Sequence, residues 1–563
     1  MTREEALARL TAPGEPFELM QVSSATGPIR VFRHAPQNLG EIYAACRSDL
    51  PFLVYGKERL TFEDTWVRSC ALANALVRDY GVRPGDRVAI SMRNYPEWMI
   101  GFAAVTAIGG IAVALNAMWQ GEALDYSLRD CTPRVLLADQ ERLDRLAACG
   151  RSGNVDVIAV RAKSRVPCPS FDDVIAPHLT DIMPMAKPGS DDDALILYTS
   201  GSTGRPKGVV SSHRAIISTL LSWELDTQIA VLTGLLRPTV ADSPQNAVLL
   251  GIPLFHVTGL HNVYLASYRR QRRIVSMYKW DPELAGKLIE AERITAFVGP
   301  SAVTGDLVEI AREGRFDLGS LKSVGGGGAS RSPEQVLAIR TEFPAALPET
   351  GWGMTETNAL GAGIGAADYI KQPMSTGRPS ALLDLRIVDE RGQLKPTGET
   401  GELLVRGASL MRGYWNQPAA TAEIFDKGWL RTGDMARFDD EGFLYIVGRI
   451  KEMVIRGGEN ISCAAVEAAL IEHPAVIEAC AYGLPHPRLG EELGATVYAR
   501  GSLKIEDLRR FLRGRIAHFM IPDRIDVTEN PLPRVASGKI WRRGLQQVAQ
   551  TMLGNGRLER EQP

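Results

Sequence analysis

Residues 198–209, YTSGSTGRPKGV, lie between two apolar runs, ALILYT at 194–199 and VV at 209–210. Gly201, Gly204 and Gly208 permit turns that a β-carbon would forbid. Thr199, Ser200, Ser202 and Thr203 supply hydroxyls, successive backbone N–H groups can form an anion nest, and Lys207 adds a point charge suited to phosphate. The plainest reading is a Gly/Ser turn between two strands. Four hydroxyls, three glycines and a lysine in so short a loop favour a phosphate cradle instead. The loop is not a Walker A, which needs G-x-x-x-x-G-K-[ST]. Here Arg205-Pro206 follow Gly204, and Gly208 follows the lysine. A P-loop kinase or GTPase is not supported.

The chain around this loop alternates strands and helices. Residues 63–80 have helical apolar spacing and end at Gly81 before a turn at 83–86. RVAIS at 87–91 reads as a buried strand. Residues 100–119 carry no charge and are nearly long enough to span a bilayer. The Gly109-Gly110 pair inside them favours a buried helix, a turn and a buried strand, IAVAL. PRVLLAD at 133–139 repeats the strand pattern. Such alternation predicts layered α/β structure, and 563 residues exceed one hydrophobic core, so two or more domains are expected. With 45% hydrophobic and 23% charged residues the chain reads as globular and soluble, and a net charge of −2 gives no reason to propose nucleic acid. Seven scattered cysteines show no C-x-x-C and no metal spacing, which suits a reducing compartment. The N-terminus lacks a secretory h-region, and the C-terminus lacks the peroxisomal Ser-Lys-Leu. A cytoplasmic protein without a transmembrane segment is expected. The Asn460-Ile-Ser462 sequon is then accidental.

Further along, GIPLFHVTGL at 251–260 reads as an apolar strand running into a turn. His256 and His261 have no third ligand spaced nearby. Arg269, Arg270, Arg272 and Arg273 form a basic run whose default is a solvated face, with a contact to a ligand's phosphate or a membrane surface as the other reading. SVGGGGAS at 323–330 holds four consecutive glycines, costly in chain entropy unless something approaches the backbone. ETGWGMTET at 349–357 sets an aromatic, a glycine, a hydroxyl and a carboxylate in tight order. Glu349 and Glu356 as a glycosidase pair have no other support. WLRTGD at 429–434 places Asp434 after a turn. GRIKEMVIRGG at 448–458 and PRVASGKI at 533–540 complete the set.

In this order, over roughly residues 40–550, these stretches resemble the motifs of the adenylate-forming superfamily: acyl-CoA synthetases, firefly-type luciferases and peptide-synthetase adenylation domains. The resemblance implies a large α/β adenylation domain of layered subdomains with a β-rich subdomain, residues 1–448, and a small mobile α+β lid, residues 449–563. It implies that the 198–209 loop, from Thr199 through Gly204 to Lys207, holds the β- and γ-phosphates of ATP. Gly327, Gly328 and Ala329 would face the adenine, although Ser330 stands where the family has proline. Trp352, in place of the commoner tyrosine, would stack on adenine beside Gly353. Thr355 would donate to the α-phosphate and Glu356 would hold Mg²⁺. Asp434 would bind the ribose hydroxyls, and Arg449 phosphate or ribose. Lys451 matches the hinge, and Gly458 the glycine that lets the pantetheine arm of CoA pass. Lys539 would reach the substrate carboxylate and the α-phosphate. His256, with Gly328 and Gly353, would line the acid pocket, while Arg331 is either a contact to a second polar group or a surface residue.

The function implied is an ATP-dependent carboxylic acid–CoA ligase, closest to the fatty and aromatic acyl-CoA ligases and so placed in fatty acid metabolism. The acid would be a medium- or long-chain fatty acid or a bulky aromatic or alicyclic one. The alternatives are an acyl-AMP ligase loading a separate carrier protein and a luciferase-like oxygenase. Partners are the acid, ATP and CoA, and a homodimer is compatible with the reading.

Overall fold

The computed structural model of the chain describes every residue except 25–26, 149–154, 164–167, 201–205, 239–242, 329–330, 457–458, 514, 536–538 and 555–563. The chain forms two compact units, residues 1–385 with 405–430 and residues 386–404 with 431–563. It passes between them inside the strands Leu383–Val388, Gly401–Gly407 and Trp429–Phe438.

The larger unit is α/β, as expected. Its seven-stranded sheet runs in the order Gly413–Tyr414, Pro206–Ser212, Asp193–Ser200, Ile111–Ala114, Arg87–Ser91, Val135–Asp139, Asp156–Val160. The five strands from Asp193–Ser200 to Asp156–Val160 are parallel, and the pairings of Pro206–Ser212 with Asp193–Ser200 and with Gly413–Tyr414 are antiparallel. Parallel strands are covered on both faces and read as continuous apolar runs: Val88–Ile90, Ile111–Leu115 and Val135–Ala138 are all buried. Residues 100–119 resolve into the helix Pro96–Ala107, a turn at Gly109 with φ +76°, and the strand Ile111–Ala114. Every residue of that helix except Glu97 is buried, the mark of a core helix.

A nine-stranded sheet in the same unit has a parallel centre: Leu347–Trp352, Ser323–Gly326, Ala296–Gly299, Ala247–Leu250, Arg273–Ser276 and Pro51–Tyr55. Antiparallel strands close its two edges. Between its strands sits a π-helix, Thr258–Leu265. The sequence had suggested a strand there, but the strand is Ala247–Leu250, and the following residues coil into the π-turn. Stacked and tilted rings of Phe52, Phe62, Tyr264 and Tyr268 hold it, and Tyr264 Oη donates to the Met99 carbonyl at 2.7 Å.

One helix among the described residues, His213–Leu232, is long and apolar enough to cross a membrane, and more than half of it is buried within the fold. Its Glu224 and Asp226 pair with Arg269 and Arg3.

The smaller unit is α+β. A mixed sheet of Glu459–Ser462, Met453–Arg456, Gly490–Ala499, Val476–His486 and Arg524–Thr528 packs on the helices Cys463–Ile471 and Ile505–Leu512. Its own core is centred on Val466, Leu470, Leu493, Val497 and Leu508.

The helix Phe62–Arg78 starts with a capping box, Thr61 with Asp64. It ends at Asp79, a carboxylate at the negative end of a helix dipole. His178 offsets it, with Nε2 2.9 Å from Asp79 and Nδ1 2.9 Å from Asp181. The hydrogen bond to Asp79, then that to Asp181, raises the His178 pKa above its ordinary value. A raised folded-state pKa gives stability that is complete below the unfolded value, about 6.5, and is lost as pH climbs through the folded value. The melting temperature is therefore expected to fall as pH rises from about 6 towards 8. The His178→Gln variant should show a shallower fall, and equal slopes in a thermal-melt series would refute this role.

Candidate active site

The chemistry of the larger unit gathers where the hairpin 193–212 meets the strand Gly413–Tyr414. Val209 pairs with Tyr414, and the Trp415 N–H donates to the Gly208 carbonyl at 2.7 Å. Residues two apart on a strand share a face, so Lys207 lies on the side of Tyr414. Its Nζ sits 4.9 Å from the centre of the Tyr414 ring, a cation–π contact. The Tyr414 hydroxyl donates to Glu356 Oε1 at 2.9 Å. Lys207 and Glu356 are thus brought together through Tyr414, a residue the motif reading did not select. Thr199 is the register partner of Lys207. Gly201, Ser202, Thr203 and Gly204 lie outside the described residues, as does the side chain of Ser200.

Glu356 sits in a 3₁₀ turn, Thr355–Thr357, directly after the strand Leu347–Trp352, and is 9% exposed. Asn358 and Ala359 follow with φ of 56° and 66°. A left-handed alanine costs on the order of 1 kcal/mol or more and persists only where its surroundings impose it. Here Asn358 donates to the Ser409 carbonyl at 2.8 Å and meets His261 Nε2 at 3.1 Å. The Glu356 carbonyl accepts from the Met411 N–H at 2.8 Å. His261 is fully buried, and burial holds its pKa down at about 4. It is a neutral brace for the turn. Its only trace in the sequence is a lone polar ring in an apolar run.

Two glycines in this segment have steric reasons to be glycine. A β-carbon on Gly353 would lie 2.3 Å from the Ala359 carbonyl oxygen, and one on Gly361 would lie 2.3 Å from that of Trp352 and 2.4 Å from its ring. Trp352 therefore packs over Gly361 and is 9% exposed. Gly327 and Gly328 border open space where side chains would otherwise stand, and Gly328 has φ +78°. Ala329 and Ser330 lie outside the described residues.

Arg331 is not a surface residue. It is 5% exposed and donates to the carbonyls of Gly325 at 2.7 Å and Glu349 at 3.1 Å, lacing two strands together. The run 269–273 is solvated only in part: Arg269 and Arg270 are exposed, whereas Arg272 is buried. Arg269 pairs with Glu224 at 2.6 Å, Arg273 reaches Glu292 at 3.7 Å, and Arg272 is buried against the Asn262 carbonyl at 2.7 Å. His256 stands before the π-helix with its ring edge-on to Phe255 at 4.8 Å. Among the described residues no group of three or more His, Cys, Asp or Glu side chains could hold a metal ion.

In the smaller unit Asp434 and Arg449 are register partners on adjacent strands, joined at 2.8 Å. Asp434 is 3% exposed, and its N–H donates to Thr432 Oγ1 at 3.0 Å. Lys451 is exposed in the 3₁₀ turn Ile450–Glu452. Lys539 is also exposed, and its carbonyl accepts from the Val535 N–H at 2.8 Å. Arg542, three residues on, anchors that segment to Glu467 at 2.7 Å and to the Ala481 carbonyl at 2.9 Å. Gly458 lies outside the described residues.

A cation, a carboxylate and a bridging phenol stand together beside a glycine-rich hairpin. Residues 41–415 match the model of the AMP-binding enzyme family, and residues 465–539 match that of the AMP-binding enzyme C-terminal domain. The chain is 34% identical over 489 residues to a feruloyl-CoA synthase of an Amycolatopsis species, covering 86% of this chain and 93% of that one. It is 31% identical over 525 residues to a long-chain-fatty-acid–CoA ligase of Bacillus subtilis, covering 87% and 90%. Its fold is similar to the solved o-succinylbenzoate CoA synthetase of Bacillus subtilis in complex with an acyl-adenylate intermediate, with TM-score 0.76, 26% identity, and 91% and 98% of the chains covered.

Tyr414→Phe keeps the ring under Lys207 and removes the bond to Glu356. A hydrogen bond to a charged group contributes about 1.5–3 kcal/mol, roughly a factor of 10 to 100 in an equilibrium. The Mg²⁺ concentration needed for ATP to stabilise the protein in a thermal-shift titration, measured against each protein's own melting temperature without nucleotide, is expected to rise about tenfold or more. An unaltered Mg²⁺ requirement would remove Tyr414 from the site.

Proposed function

This chain belongs to the AMP-binding enzyme family, and from that premise we propose how its residues divide the work of an AMP-forming acid–CoA ligase. The enzyme activates a carboxylic acid as its acyl-adenylate and then transfers the acyl group to coenzyme A. The observation that carries the assignment is the Lys207–Tyr414–Glu356 arrangement at the base of the glycine-rich hairpin.

In the first step a carboxylate oxygen attacks the α-phosphorus of ATP, the bond to the bridging oxygen breaks, and pyrophosphate leaves with the electron pair. Both reactants are anions, so the protein contributes positioning and charge stabilisation rather than a nucleophile. Lys207 and the hydroxyls and N–H groups of 199–204 take the β- and γ-phosphates. Thr355 donates to the α-phosphate, and Trp352, Gly353 and the 327–329 segment receive the adenine. Asp434 accepts from the ribose hydroxyls, and Arg449 stands beside it. Lys539 reaches the acid's carboxylate and the α-phosphate. Glu356, one hard carboxylate oriented by a phenol, fits Mg²⁺, which needs few protein ligands when phosphates complete its shell. When bound, the ion would neutralise charge on the departing pyrophosphate.

In the second step the CoA thiol attacks the activated carbonyl carbon, AMP leaves with the electron pair of its bond to that carbon, and the thiol proton passes to water. Gly458 leaves room for the pantetheine arm. Residues 449–563 act as a lid that turns at Lys451 and presents Lys539 and Gly458 in succession. His256, Gly328 and Gly353 line the mouth of the acid pocket, whose substrate is an aromatic or a medium- to long-chain acid. Six of the seven cysteines are described and none is in a disulfide, which supports a cytoplasmic setting.

Lys539→Ala is expected to lower acid-dependent ATP–pyrophosphate exchange by about 100-fold or more while sparing thioester formation from supplied acyl-adenylate. Gly458→Leu should do the reverse. Equal loss of both half-reactions in both variants would exclude an alternating lid.

A further inference from the structure

The strand that delivers Trp352 and Glu356 begins in a polar corner that the reaction itself does not require. Pairing sets Gly325 beside Glu349, Glu349 opposite Gly365, and Gly351 opposite Gly363. Paired residues share a face, so Ser323, Gly325, Glu349, Gly351, Gly363 and Gly365 all point to one side of the sheet. Glycines floor this face. A β-carbon on Gly363 or on Gly327 would meet nothing within 4 Å, and one on Gly365 would lie 3.1 Å from Glu349 Cγ. Gly363 is exposed although it is bonded between two strands, so open space stands above it.

Glu349 crosses this floor and hydrogen-bonds Ser323. Arg270, Arg272 and Arg331 are all within electrostatic reach of it, and Arg331 is committed to the carbonyls of Gly325 and Glu349. The π-helix segment orients Arg272, which donates to the Asn262 carbonyl at 2.7 Å and to Ser267 Oγ at 3.2 Å. Arg270 is held by the Trp223 carbonyl and by Thr227 Oγ1, both at 3.3 Å. Burial raises the pKa of Glu349 and lowers that of Arg270, yet Glu349 is only half-buried and Arg270 stays accessible.

A hydrocarbon tail in that space would cover two guanidiniums and a carboxylate with nothing to solvate them, which is strongly unfavourable. A second carboxylate would be drawn to the arginines and repelled by Glu349. A hydroxyl satisfies both signs, donating to Glu349 and accepting from a guanidinium N–H. The corner lies four residues before Gly353, roughly 13 Å along the strand at about 3.3 Å per residue. That is a suitable reach for the far end of an acid whose carboxylate is at the adenylation site.

We propose that Glu349, Arg270 and Arg272 form a specificity site for a hydroxyl at the distal end of the acid, so that the preferred substrate is a hydroxylated acid and not an unsubstituted fatty acid. The proposal rests on the acid–CoA ligase reading above.

The test measures CoA-dependent AMP formation with the para-hydroxy, para-methyl and para-carboxy forms of cinnamic acid, and with decanoic acid and its ω-hydroxy form. The two families separate a phenolic from an alcoholic hydroxyl. In the wild type at least one hydroxylated acid should exceed its methyl or hydrogen counterpart in kcat/KM by about 100-fold or more, because a site built to bond a hydroxyl leaves its polar groups unpaired with the analogue lacking it. Glu349→Leu should lower kcat/KM for the hydroxylated acid and raise it for the apolar one, and Arg270→Gln should lower the same preference if Glu349→Leu does not fold. Equal or better turnover of the apolar acids by the wild type, an equal loss for all acids in the variants, or a first rank for the para-carboxy acid would each overturn the proposal. If none of the five acids yields AMP while the protein binds ATP, the ligase reading fails, and this inference with it.

Discussion

A single phenol stands between the two opposite charges of the site. The ring of Tyr414 lies under the Lys207 ammonium, and its hydroxyl is bonded to Glu356. No direct ion pair joins the lysine and the glutamate among the described contacts. A direct pair would have each charge satisfied by the other, and a polyphosphate would have to break it. With an aromatic face on one side and an O–H on the other, both charges are fixed in place and keep most of their capacity for ligand. Electrostatic preorganisation of this kind is what charge-stabilising catalysis requires.

The carboxylate end of this bridge rests on backbone that has no slack. Gly353 and Gly361 are approached so closely by carbonyls that a methyl group would collide, and the left-handed pair Asn358-Ala359 is imposed by His261, Ser409 and the chain around Met411. Strain spent there fixes the direction of Glu356. The arginines tell a related story. Most of the hydrogen bonds made by Arg331 and Arg272 go to backbone carbonyls, so they hold strands and the π-turn in register as well as setting the electrostatics of the interior.

Much of this was legible in the amino-acid order. The parallel strands announce themselves because burial on both faces demands unbroken apolar runs, and RVAIS coincides with the strand Arg87–Ser91. The uncharged stretch 100–119 yields its helix–turn–strand reading because of Gly109. What escaped were features decided by distant partners. Tyr414 looks ordinary in sequence, and only pairing with Val209 carries it over to Lys207 and Glu356. The arginine run looks solvated because its partners, Glu224, Glu292 and Glu349, come from other elements. The π-helix has no local signature, since aromatic packing from Phe52 and Phe62 decides it.

The placement of the strand Gly413–Tyr414 also bears on how the molecule is made. The hairpin 193–212 presents its outer edge to that strand alone, and the intervening residues 386–404 belong to the other unit. On a ribosome the larger unit therefore cannot complete this sheet edge until a segment of the smaller unit has already emerged, unable to fold until residues 431–563 follow it. During that interval the hairpin is an unpaired β-edge, the kind of surface on which nascent chains associate wrongly. Arg412, which reaches back to Asp193 at 2.8 Å as residues 412–414 dock, gives the late strand a charged latch that draws it to the correct edge.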